Sequence, residues 1–423
     1  MLHAIRFVLP ALSALALMAC DPYKAPNVDL RSKMSLAGVI DNPQLSRQQK
    51  SAAFTDSAEQ MLTPSGFMFV KTLADEAVVL DPSNGKAKIL AAMMAPALEL
   101  KGVMTRIEPL VKTRPSEYVK YAQQLQELRK SSAGPQARFL LDGAQDISTE
   151  RGAQELVARF TARMDELRRV LNEVKFGDDI KFMINDDAFA NPTLECVITQ
   201  TGTWEFAYEN CPMISILNEH RANRADLEAM QQVVAGYQTY LTVLNGWDLT
   251  GIYTKQGVLS GNARHDFEVL LGSSDFGTLR QNNGFGVVPD IMKDAVLGAH
   301  YAIEMQAELC PVGGPSMSNR PGFIFAEGFC TKADDSVTRT LALVESMLKG
   351  PVAIPSTENG KTLSTTVDAM SFFKRPIENV RSLAPYRIDR CGKLSHVGDA
   401  SFGGVFPNGD LNDILARQSP TCL

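Results

Sequence analysis

The chain has 423 residues, a formal net charge of −6, and 45% apolar against 21% charged residues. This is globular composition, which excludes a disordered or collagen-like chain, and the acidic balance argues against the basic stripes of a nucleic-acid-binding protein. At about 100–200 residues per domain, the length predicts two or three units with cores of their own.

The N-terminus carries Arg6 and then an apolar run from Phe7 to Leu17. The run has the length of a signal-peptide core and is too short to span a bilayer as a helix. It ends in Leu17-Met18-Ala19-Cys20, which resembles the lipobox of bacterial lipoproteins. That resemblance implies a signal peptide over 1–19, cleavage before Cys20, a diacylglycerol on the Cys20 thiol and an acyl chain on its new amine. The other reading is an ordinary secretory signal cleaved after Ala19. Both export the chain. Asp21 resembles the signal that keeps enterobacterial lipoproteins in the inner membrane. Residues 20–45 contain Pro22, Pro26 and Pro43 and little periodicity, and read as a lipidated tether. No later stretch approaches the ~18 apolar residues of a membrane span, so none is expected.

Residues 46–175 read as helical. Ser46 caps a helix through Met61, and Phe67 to Leu80 forms the next. Lys86 to Ile107 follows, with Pro96 expected to kink or split it. Ser116 to Lys130 and Thr149 to Val174 complete the region. Along the last, Leu156, Phe160, Met164, Leu167 and Leu171 recur at helical steps and predict one apolar stripe. Ala74, Ala77 to Pro82, Asn84 and Ala87 together resemble the junction between two tetratricopeptide repeats. The physical content is that small alanines let helices approach closely and a proline turns the chain between them. A plain helical hairpin is the competing reading.

Residues 176–222 read as a β-rich insertion. Ile180 to Ile184 is one strand, and Cys196 to Thr199 with Trp204 to Tyr208 form a hairpin around Gly202. Residues 223–350 return to helix at 223–246, 264–272, 289–309 and 334–349, and 351–423 is a C-terminal segment with an Asn359-Gly360 hairpin turn. Its tail, Asp399 to Asp410, packs turn residues around Phe402 and Phe406, with Asp410 capping a short helix from Leu411 to Arg417. Together with the segment Tyr237 to Asp248, this tail resembles uncharacterised predicted lipoproteins of predatory and gliding bacteria, a family whose resemblance implies no activity.

Besides Cys20, the chain has Cys196, Cys211, Cys310, Cys330, Cys391 and Cys422. Six cysteines allow 15 pairings. Export places them where disulfides persist, and spacing favours sequence neighbours: Cys196–Cys211, Cys310–Cys330 and Cys391–Cys422. Loops of this size are each worth about 3 to 4 kcal/mol in the chain-entropy account. C-x₂-C spacing is absent, so neither a zinc site nor a dithiol redox site is indicated.

Motifs for chemistry are sparse. His220, His265, His300 and His396 stand in no H-E-x-x-H or H-x-H spacing; Glu219-His220 and His265-Asp266 are adjacent pairs only. Ser260 lies off-register for a nucleophile elbow, and Ser371-Phe372-Phe373-Lys374 is a Ser-x-x-Lys without its companion motifs. Asp178, Asp179, Asp186 and Asp187 are acidic but lack calcium-loop spacing. Trp204 and Trp247 are the candidate contact aromatics, with core packing the plainer reading. No cofactor, metal or catalytic residue is assigned.

The expected fold is therefore mainly α: helical hairpins, as a tetratricopeptide-like solenoid or irregular bundle, with short disulfide-braced β-hairpin or loop insertions. The expected function is that of a membrane-anchored lipoprotein of the bacterial cell envelope. Its body would lie in the periplasm or at the cell surface and bind an envelope protein rather than catalyse. A cell-envelope hydrolase with a site assembled from distant residues is the alternative. A solute-binding lipoprotein is the third, which would need βαβ alternation.

Overall fold

The computed structural model describes residues 32–63, 65–113, 115–130, 134–174, 180–183, 197–209, 211, 219–222, 224–252, 269, 272, 275–309, 335–358, 361–383, 387–388, 394–395, 397–409 and 411–412. The fold is mainly helical with a few small antiparallel sheets. It divides into two compact units. One comprises Met1–Ser148, Arg159–Val234 and Glu304–Cys330, the other Thr149–Ala158, Ala235–Ile303 and Thr331–Leu423.

The first unit is built on three consecutive helices, α2 (Arg47–Gln60), α3 (Phe67–Leu80) and α4 (Gly85–Glu99), preceded by a short α1 (Ala37–Ile40). Local chemistry sets their ends. Ser46 and Gln49 form a capping box at the start of α2, each side chain accepting from the other's backbone N–H, which satisfies two donors that a helix start leaves open. Asn84 caps α4 by accepting from the Ala87 N–H. The Arg47 guanidinium donates to the carbonyls of Val79 and Leu80 and so finishes α3. Phe54, Met61, Val70, Leu73 and Ile89 form the core, and Ala74, Ala77 and Ala87 are fully buried where the helices meet.

Pro96 lies inside α4 and does not split it; of the kink or split expected there, the split is absent. The proline is buried within the helix, and its packing offsets the one backbone hydrogen bond it cannot donate. The break comes later, at Gly102, which adopts φ +64 between α4 and two short helices, α5 (Val103–Arg106) and α6 (Glu108–Lys112). A Cβ on Gly102 would lie 2.3 Å from the Gly143 Cα. Gly102→Ala therefore combines left-handed strain with a backbone clash. It is expected to destabilise the chain by about 2 kcal/mol or more, read as a lowered urea midpoint.

Helices α7 (Pro115–Lys130), α8 (Gly134–Leu141) and α9 (Glu150–Glu173) follow. Glu108 anchors this part of the first unit. Its carboxylate accepts from Lys112, Tyr118 and Gln145, and these donors outweigh its burial and hold its pKa below the usual range. The stripe expected on α9 is present: Leu156, Phe160, Met164, Leu167 and Leu171 are all buried.

Strands β1 (Ser32–Ser35), β3 (Val197–Gly202) and β4 (Glu205–Glu209) make one antiparallel sheet, with β4 central. β2 (Ile180–Met183) pairs with β5 (Glu219–Ala222) in another. Phe206 and Tyr208 alternate inward from β4, and Phe69 meets Phe206 edge-on at 5.3 Å. Two points depart from the sequence reading. Residues 32–35 and 37–40, placed in the tether, form β1 and α1. The hairpin turn is Thr203-Trp204 rather than Gln200 to Thr203, with Trp204 at φ +59.

The second unit contains the end of α10 (Arg224–Leu244), most of α11 (Val288–Leu309), α12 (Asp335–Lys349), the hairpin β6 (Val352–Glu358) and β7 (Lys361–Val367), α13 (Ala369–Lys374), and the pair β8 (Arg387–Ile388) and β9 (Leu394–Ser395). Its centre is aromatic. Trp247, Phe285 and Phe372 lie 5.0 to 5.7 Å apart, Phe373 packs on Phe285 and Phe372, and Phe402 stacks on Phe372 at 5.7 Å. The loop that delivers Phe402 is wound around Asp399, whose carboxylate accepts from the Ser401 hydroxyl and the N–H groups of Ser401 and Gly403. Those bonds hold its pKa below the usual range despite partial burial. Gly404, at φ +84, passes so close to Ser371 that a Cβ would lie 2.4 Å from the hydroxyl oxygen.

Candidate functional site

Helix α2 carries Ser51, Thr55 and Glu59 at four-residue steps, hence on one face, and all three are buried. Each has partners. The Ser51 hydroxyl donates to the Ala77 carbonyl at 2.7 Å and the Thr55 hydroxyl to the Ser51 carbonyl at 2.8 Å. The Asn84 amide donates to both hydroxyls at 2.9 Å. Asn84 thus caps α4 with its oxygen and ties α4 to α2 with its nitrogen. Two residues on, the Lys86 ammonium meets the Glu59 carboxylate at 2.6 Å. The other Glu59 oxygen accepts from the Met183 N–H of β2 at 3.1 Å, and the ammonium stands 6.0 Å from the Phe182 ring.

Glu59 is 1% exposed. Burial pushes its pKa up to about 7, against the pull of Lys86 and the Met183 N–H. Desolvation of the carboxylate is therefore the dominant effect. The pair ties α2, α4 and β2 together. Sequence reasoning missed it. The available signal was the Ser51, Thr55, Glu59 periodicity opposite Asn84 and Lys86, which reads equally well as a solvated helix face.

The opposite side of the same hairpin faces water. Met68, Thr72, Asp75 and Val79 run along α3 as an exposed stripe, with Met68 52% and Val79 63% exposed.

In the second unit, Trp247-Asp248 is fixed from three directions. The Trp247 indole donates to the Ile377 carbonyl at 2.8 Å. Gln154 donates to the Trp247 carbonyl and accepts from the Leu249 N–H. Asp248 accepts from the Thr250 N–H at 2.7 Å and from Arg151 at 3.0 Å, which holds its pKa below the usual range against burial. The two segments that carried the lipoprotein resemblance, Tyr237 to Asp248 and the tail around Phe402, thus meet in one aromatic cluster.

The residues singled out in the sequence fall as follows. Cys20, Cys196, Cys310, Cys330, Cys391 and Cys422 lie outside the described residues, as do His265, His396, Ser260, Asp178, Asp179, Asp186, Asp187 and the capping Asp410. Cys211 is buried just after β4. His220 is on β5 opposite Phe182. His300 is half-buried and 3.7 Å from Glu345. Ser371 is buried, with its hydroxyl bonded by Arg375 at 3.1 Å, while Lys374 is exposed. The Ser-x-x-Lys pair is thus not assembled as a nucleophile and base. Trp204, half-buried, packs edge-on against Phe54 at 5.0 Å, and its carbonyl accepts from the Leu36 N–H. Among the described residues, no three His, Cys, Asp or Glu side chains gather as a metal site, every strand pairing is antiparallel, and no helix is long and apolar enough to cross a membrane. No protein-family model, curated protein or solved structure matches the chain.

Proposed function

We propose that the chain is a lipid-anchored lipoprotein of the bacterial cell envelope whose helical body binds a protein partner and works as a scaffold rather than as an enzyme. Cys20 carries the lipid, and the segment after it holds the body off the membrane. Two or more acyl chains make a stable anchor where one does not. The observation that carries the binding role is the α2–α4 packing. Buried Ala74, Ala77 and Ala87 bring the helices close, as in tetratricopeptide repeats, and leave the Met68 to Val79 stripe of α3 outward.

Disulfides belong to the same reading: Cys196–Cys211, Cys310–Cys330 and Cys391–Cys422 brace the β and loop insertions. In support of the first, the Cys211 sulfur lies 3.8 Å from the carbonyl oxygen of Val197, the residue after Cys196.

A photo-crosslinking residue at Thr72, between Met68 and Val79, tests the binding role in intact cells. The expected result is a discrete protein adduct from Thr72 that the same probe at exposed Lys293 does not give. No adduct from Thr72, or the same adducts from both positions, contradicts it.

A further inference from the structure

Met68 differs from the other methionines of the chain. Among the residues whose side chains are described it is the one methionine exposed to solvent, while Met61, Met94, Met104, Met164 and Met370 are buried. Its sulfur also has a charged neighbour. The Lys101 ammonium, just past α4, donates to it at 3.6 Å, and the Asp142 carboxylate holds that ammonium at 3.0 Å. A thioether is a weak acceptor, so the lysine gains little from the sulfur as it stands. A sulfoxide oxygen at the same place is a far stronger acceptor, so the site favours the oxidised side chain.

We infer that Met68 is an oxidation site at which Lys101 assists oxygen transfer, and that its sulfoxide switches off partner binding at the Met68 to Val79 stripe. The switching rests on the binding role proposed above for α3. The oxidant is a peroxide, hydrogen peroxide being the simplest. A sulfur lone pair attacks one peroxide oxygen, so that an S–O bond forms and the O–O bond breaks. The departing hydroxide takes the proton of the transferred oxygen and leaves as water. Sulfur is oxidised by two electrons and the peroxide is reduced by two. Lys101 donates a hydrogen bond to the departing oxygen, where negative charge develops. The product is a polar, chiral side chain in place of a flexible apolar one. On an apolar contact stripe it presents a strong acceptor that a partner must desolvate. A dithiol-dependent sulfoxide reductase reverses the change: the dithiol becomes a disulfide and the oxygen leaves as water.

The test treats the full chain with hydrogen peroxide and follows its methionine peptides by mass spectrometry. Met68 should gain oxygen about tenfold faster than Met61 and Met370, which are 0% and 2% exposed. Lys101→Leu should slow Met68 about threefold, the worth of one modest hydrogen bond. The Thr72 crosslink is then taken in isolated membranes before and after peroxide. The adduct should fall about fivefold in the wild-type chain, since a polar group must now be desolvated. It should persist in Met68→Leu, which keeps the apolar surface and has no sulfur, and should be weak without any oxidant in Met68→Gln. Equal oxidation of Met68 and the two buried methionines overturns the proposal. So does an unchanged rate in Lys101→Leu, or an adduct that neither peroxide nor Met68→Gln diminishes. An untreated chain that gives no Thr72 adduct overturns the binding role instead, and the peptide masses still decide whether Met68 is the oxidation site.

Discussion

Cys20→Ala is expected to move the chain from the membrane pellet to the soluble fraction of the envelope. The argument is one of attachment. The apolar run from Phe7 to Leu17 is too short to span, and none of the described helices can cross a membrane. In the proposed reading lipid on Cys20 is the hold on the bilayer, at about 0.8 kcal/mol per buried methylene. Alanine has no thiol to take the diacylglycerol, so the loss is all-or-none rather than graded. The body, built from residues 32 onward, should keep its helix content by circular dichroism. If Cys20 were a bystander of an ordinary secretory signal, wild type and variant would fractionate alike. Membrane fractionation of both, probed with one antibody, separates the two cases.

Glu59→Gln is expected to flatten the dependence of stability on pH. In the folded chain the carboxyl titrates at about 7, and when the chain unfolds it returns to about 4.5. Between those values the folded state holds a proton that the unfolded state has released. The stabilisation is fully present below about 4.5 and is lost as pH rises through about 7. A shift of this size is worth on the order of 3 kcal/mol. Glutamine is nearly isosteric, can still accept from the Met183 N–H, and does not titrate here. Lys86→Met acts in the opposite sense. It leaves a buried carboxylate unpaired and should cost about 3 kcal/mol above pH 7, with the cost shrinking at pH 5 as Glu59 takes up its proton. Urea unfolding of the three proteins from pH 5 to pH 8 checks both signs. A wild-type stability that does not fall with rising pH relative to Glu59→Gln would contradict the assignment.

How far the sequence revealed this fold depended on whether the signal was local. Ser46 with Gln49 and Asn84 ahead of Ala87 are caps written in neighbouring residues, and the helices they begin were legible. So was α9, where five apolar residues repeat at helical steps. Strand β1 was not legible. Ser32 to Ser35 has no alternating pattern and owes its conformation to pairing with β4, which is far away in the chain. Pro96 misled because its backbone rule is local while its buried ring is a tertiary fact. The polar face of α2 went unread, since Ser51, Thr55 and Glu59 acquire their roles only when Asn84, Lys86 and Met183 are placed against them. The aromatic cluster joins Trp247, Phe285, Phe372 and Phe402, whose positions no local pattern connects.

The central claim, a body tethered by lipid at Cys20, is tested most directly by the mass of the N-terminal peptide of the protein isolated from its native membrane. The account predicts a peptide that begins at Cys20, carries a thioether-linked diacylglycerol, and loses its ester-linked acyl chains to mild base. A peptide that begins at Cys20 with an unmodified thiol, or one that still contains residues before Cys20, would contradict it.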